Sequence, residues 1–205
     1  GRGEAPDAFM AALGGLMAYG NVAIALFVSW SMLSRLALMG FSQEGRQYWL
    51  LKAAPISPNR LLAAKYLVAV LPTLVLGGVF LLGISLLQRM SGFGLLFSFL
   101  VLVLVVLGLA GLSLAFGVLS ANFNWEDPRR ISQGGMGCLG SLAGALFLLL
   151  SLALFFGPML LAGMLGASPI LGQSIGLGLG GLFCLAGGFI PLLLVRKRIP
   201  QLGEE

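Results

Sequence analysis

Residues 95–119 read Leu95-Leu-Phe-Ser-Phe-Leu-Val-Leu-Val-Leu-Val-Val-Leu-Gly-Leu-Ala-Gly-Leu-Ser-Leu-Ala-Phe-Gly-Val-Leu119. The stretch carries no charge and has no polar face. A bilayer core of about 30 Å is crossed by roughly 20 apolar residues of helix, so this one segment is long enough to span it. A transmembrane barrel would instead need strands of roughly ten residues alternating in polarity, and 95–107 are apolar on every side. The composition agrees: 59% of the 205 residues are hydrophobic and 9% are charged, against about 25% charged in soluble domains. Gly 31 is high as well, and glycine lets membrane helices approach closely.

Working outward, residues 8–39 give a preceding helix, uncharged to Ser34 and fraying at Arg35 and Gly40. Residues 61–88 give a second, with Pro72 as a kink supported by its neighbours, and a tight turn at 89–94 leads into the quoted helix. After a polar loop at 120–133, residues 131–195 contain no charge. That length suits two crossings, expected at 135–156 and 176–195. Between them Gly157-Pro158, Gly166 and Ser168-Pro169 interrupt the helix while their neighbours stay greasy. Residues 157–173 therefore read as short re-entrant helices dipping into the outer leaflet, with a plain hairpin loop as the alternative. The expected fold is all-α: one polytopic transmembrane domain over 1–205, with five membrane helices and a short cytoplasmic helix.

Several function classes fall away. The net charge of +5 sits in short clusters between apolar runs, which topology explains better than nucleic acid. There is no histidine, and the acids lie only in loops or termini, so acid-base or metal chemistry inside the bilayer lacks its usual groups. No G-x-x-x-x-G-K-[ST] phosphate loop is present. Cys138 and Cys184 have no metal-like spacing and read as small buried hydrophobes. No cofactor and no enzyme activity are expected of this chain. Orientation follows from basic residues. Arg35, Arg46, Lys52, Arg60, Lys65, Arg129, Arg130, Arg196, Lys197 and Arg198 fall on one side, Arg2 and Arg89 on the other. The first side is expected to be cytoplasmic, placing Gly1 outside and the carboxyl end inside a multi-pass plasma-membrane protein. The chain starts without methionine, and its odd number of crossings leads us to expect an upstream helix.

Residues 41–60 form the most informative cytoplasmic segment. Ser42 can cap a helix and Pro55 ends one near Ala54, because the residue before proline avoids the α region. The expected helix over 42–54 puts Trp49, Leu50 and Ala53 on the face of Arg46, with Glu44, Gln47 and Leu51 turned elsewhere. Ser57-Pro58 then repeats the start signal for the next membrane helix. Two readings stand side by side. Tyr48 and Trp49 can anchor at headgroups while Lys52 snorkels, or the aromatic pair beside Arg46 can dock another protein. In the second cytoplasmic loop, Asp127-Pro128 can start a helix, Trp125 can anchor, and Arg129 and Arg130 can set topology. Gly140-x-x-x-Gly144 and Gly176-x-x-x-Gly180 permit close helix packing, a spacing common in glycine-rich chains.

Glu44-Gly45-Arg46, Trp49-Leu50-Leu51-Lys52, Pro55-Ile56-Ser57 and Leu61-Leu62-x-x-Lys65 resemble a signature of the membrane-spanning subunits of type-2 ATP-binding cassette exporters. Asn122-Phe123-Asn124-Trp125-Glu126-Asp127-Pro128-Arg129-Arg130 resembles that group's second cytoplasmic loop. The resemblance implies a half-transporter of six helices, of which the present five match the second to sixth, with short re-entrant helices before the last. It implies an ATPase-coupling interface at Glu44, Gly45, Arg46, Tyr48, Trp49, Leu50, Lys52, Pro55, Ile56 and Ser57. Trp125, Glu126, Asp127, Arg129 and Arg130 would support the same contact. The expected partners are a separate ATPase subunit, a second permease half (the same chain or a different one) and the bilayer. The expected function is the permease part of an ATP-driven exporter; the alternative is a non-transporting anchor or assembly subunit docking a cytoplasmic partner. The uncharged helices favour an amphipathic, lipid-like, peptide or drug-like cargo over small ions.

Overall fold

A computed structural model describes residues 19–47, 57–121 and 135–196. Among these residues five α-helices follow one another: α1 (Gly20–Leu36), α2 (Pro58–Leu87), α3 (Gly92–Leu119), α4 (Gly135–Met164) and α5 (Pro169–Val195). A 3-10 helix, Ser42–Gln47, lies between α1 and α2. The long helices α2 to α5 are each apolar enough to cross a membrane, and α1 is a shorter apolar helix. The protein is an all-α membrane bundle. Its surface bears this out, since Leu87, Leu165, Leu182 and Leu194 are among many large apolar side chains left exposed, as lipid-facing positions are.

The quoted segment is the axle. α3 packs extensively against each of the other four helices, and Val101, Leu102, Val105, Val106, Leu109 and Leu114 are wholly buried. Its glycines make that possible. A Cβ on Gly108 would lie 2.5 Å from the Cys184 carbonyl oxygen, and one on Gly111 would lie 2.5 Å from that of Gly188. The α3 and α5 backbones therefore touch directly at mid-helix, as small residues allow in membranes. Both small-x-x-x-small pairs also sit at contacts: Gly140 against Leu38 and Phe116, Gly144 against Trp30, and Gly176 and Gly180 against Phe155. Four buried hydroxyls also bond within their own helices: Ser29, Thr73, Ser98 and Ser151 each donate to the carbonyl four residues back at 2.7–2.8 Å.

The bounds differ from the sequence expectation in instructive places. α2, α3 and α5 begin three or more residues earlier than expected, at Pro58, Gly92 and Pro169. Pro58 takes the first helical position, where its missing N–H costs nothing, although the Ser57 side chain makes no cap hydrogen bond. The expected re-entrant pair at 157–173 does not form as separate helices. α4 runs through Gly157 and Pro158 to Met164, and α5 starts at Pro169, so the region is the tip of a helical hairpin. The stop lies at Gly166, whose φ of +67° suits glycine. Ala167 N–H donates to the Ala162 carbonyl at 2.9 Å and Gly166 N–H to that of Gly163 at 3.3 Å, a Schellman closure. Cys184 is buried as expected, but Cys138 is exposed, because it lies on the outward side of α4.

Candidate functional site

Successive helices run in opposite directions, so the α1–α2 connection, the ends of α3 and α5 and the start of α4 share one end of the bundle. α1 ends with Arg35 in its last turn, and the chain then folds into an elbow, residues 37–47. Gly40 has to be small there, since a Cβ would meet the Leu36 carbonyl oxygen at 2.5 Å. Phe41 is fully buried beneath the elbow. The elbow is clamped from the side as well. A Cβ on Gly117 of α3 would stand 2.7 Å from both the Ala37 and the Leu38 carbonyl oxygens.

Lys65, two turns into α2, joins the elbow to that helix. Its ammonium donates to the Gly40 carbonyl at 2.9 Å, pairs with the Glu44 carboxylate, and stands 5.8 Å from the centre of the Phe41 ring. Each contact is electrostatic, and together they partner a cation that an apolar helix would not hold alone. Gln43 adds a bond from its amide nitrogen to the Arg35 carbonyl at 3.1 Å. Glu44 thus points back at α2, and the backbone of Gly45 and Arg46 continues the same 3-10 turn.

Of the expected coupling residues, Glu44 joins this cluster and Ser57 stands at the start of α2. The helix expected over 42–54 begins as a 3-10 turn over 42–47. Tyr48, Trp49, Leu50, Lys52, Pro55 and Ile56 lie outside the described residues, as do Trp125, Glu126, Asp127, Arg129 and Arg130. The sequence reading missed Lys65, Gly40 and Gly117 as parts of the site. A usable signal existed for Lys65: a cation inside an apolar helix must find a partner, and Glu44 is the nearest preceding acid in the sequence.

The opposite end has another character. Tyr19, Phe97 and Phe156 pack ring to ring at 5.6–5.9 Å. Gln173 of α5 donates to the Tyr19 hydroxyl at 2.9 Å, and its buried carbonyl oxygen has no partner among the described residues. Asn21 donates to Ser85 at 2.6 Å, linking α1 to α2. Between the two ends, the Tyr66 hydroxyl reaches the Leu107 carbonyl at 2.9 Å, linking α2 to α3.

Residues 7–200 match the family described as "Putative ATP-binding cassette". The chain belongs to that family. No curated protein and no solved structure matches it. Its membrane bundle and its family place it in the setting of ATP-binding cassette systems, which fits a transport-related role.

Proposed function

We propose that this chain is the permease subunit of an ATP-driven exporter, with nucleotide bound and hydrolysed on a separate subunit. The observation that carries the reading is the Lys65 cluster. It ties the turn leading into the motif-bearing segment to α2, while Gly117 clamps the same elbow to α3. A push on residues 48–56 would then pass into two membrane helices as one rigid motion, the hinge-and-shear kind of coupling by which a soluble motor moves a membrane path. The family's description names an ATP-binding cassette, and the sequence lacks the phosphate loop, which favours the membrane role over the nucleotide-binding one. In this reading the elbow end faces the cytoplasm, two such bundles flank the path, and the uncharged helices suit an amphipathic cargo.

The test is co-expression with the ATPase subunit and measurement of association and transport. As a docking anchor, Trp49→Ala should lower the affinity by about 2 kcal/mol, roughly thirtyfold, at unchanged membrane abundance. Normal association and transport in that variant would overturn the coupling role and leave residues 42–54 as an interfacial anchor.

A further inference from the structure

The glycine contact between α3 and α5 has a geometric consequence. Two helices that touch backbone to backbone at Gly108, Gly111 and Gly188 diverge away from that point. Towards the elbow end no described residue fills the gap. It forms an open groove of about 420 Å³ walled by Leu112, Phe116 and Leu119 of α3 and by Pro191, Leu194 and Val195 of α5. From Leu112 to Leu119 the groove descends about 10 Å along the helix, some two-thirds of one leaflet. Its walls are apolar, and a charge follows where α5 ends. Arg196 directly follows Val195 and is exposed at the end of α5; no carboxylate pairs with it among the described residues, and the sequence continues Lys197-Arg198.

We propose that this groove holds one acyl chain of an anionic phospholipid whose phosphate is taken by Arg196. An apolar slot about two-thirds of a leaflet deep, with an exposed arginine at the end of one wall, matches both parts of such a molecule. The charge also argues against the other occupants. A second copy seated here about a twofold axis would bring two copies of Arg196 together, and a soluble partner cannot reach a slot between membrane-spanning helices. The site goes beyond the transport reading and does not depend on it; orientation decides only which leaflet supplies the lipid.

The test is retention of lipid by the detergent-purified chain, read by native mass spectrometry after incubation with phosphatidylglycerol or phosphatidylcholine. One phosphatidylglycerol per chain is expected to be held in preference to phosphatidylcholine. Arg196→Gln should weaken that preference about fivefold, the usual effect of one basic residue at the surface. Leu119→Trp, filling the groove, should abolish retention of both lipids. Leu194→Trp fills it from the exposed side and serves if the first variant does not fold, with thermal unfolding as the control. Equal retention of the two lipids by the parent chain would overturn the headgroup assignment, as would an unchanged preference in Arg196→Gln. Undiminished phosphatidylglycerol in a folded groove-filling variant would overturn the site.

Discussion

At the elbow the protein is held by a charge, and at the far end by neutral groups. Lys65 serves a carboxylate, a carbonyl and a ring at once, whereas around the packed aromatics Gln173 donates to Tyr19 and Asn21 donates to Ser85 and to the Met90 sulfur, all of them uncharged. A half-buried cation is held best when several fixed partners surround it, and Lys65 has three, so the elbow is over-determined. The far end holds an amide oxygen with no partner among the described residues, so its described contacts are less mutually demanding. The elbow should therefore transmit motion while the far end absorbs it.

The sharpest way to break this contrast uses glycine. Gly117→Val would drive a side chain into two backbone carbonyls 2.7 Å away, and we expect a loss of about 3 kcal/mol, read as a lowered unfolding temperature in detergent. At the far end, Gly94→Ala meets the movable Met90 methyl at 3.2 Å and the Ser91 hydroxyl at 3.3 Å, and should cost less than about 1 kcal/mol. Equal losses would dissolve the distinction. Next in size is Lys65→Met, which leaves Glu44 and the Gly40 carbonyl without their donor; about 2 kcal/mol should be lost. Adding Glu44→Gln should recover part of that loss, and no recovery in the double variant would show that the ion pair is not what holds the elbow. The smallest effect is expected for Gln173→Leu. Losing the bond to Tyr19 is offset by removing a buried oxygen that has no partner among the described residues, so stability should hold or rise by up to about 1 kcal/mol. A clear fall would mean that the oxygen has a partner the bundle supplies in the membrane.

The membrane helices were readable because hydrocarbon imposes a one-dimensional rule: length and absence of charge are enough to find α2 to α5. The helix tip at 157–173 was not, because Pro158 and Gly157 break helices in water, yet a bilayer leaves the backbone no better partner than itself. The real stop depended on a positive φ at Gly166, one of several glycines that composition could not rank. Lys65 and Glu44 were visible as charges, and their pairing across 21 residues was not, since it depends on how the elbow at Gly40 bends. The contacts of the two small-x-x-x-small pairs likewise depended on which faces the helices turn inward.

The central position of α3 bears on how the chain is assembled during synthesis. Domains form as the chain emerges, amino end first, so α3 enters the membrane before α4 and α5 have been made. The Gly108 and Gly111 strip that later meets α5 must wait, facing lipid, until the last hairpin has been made. The order of insertion thus leaves the backbone-to-backbone seam between α3 and α5 open until α5 arrives.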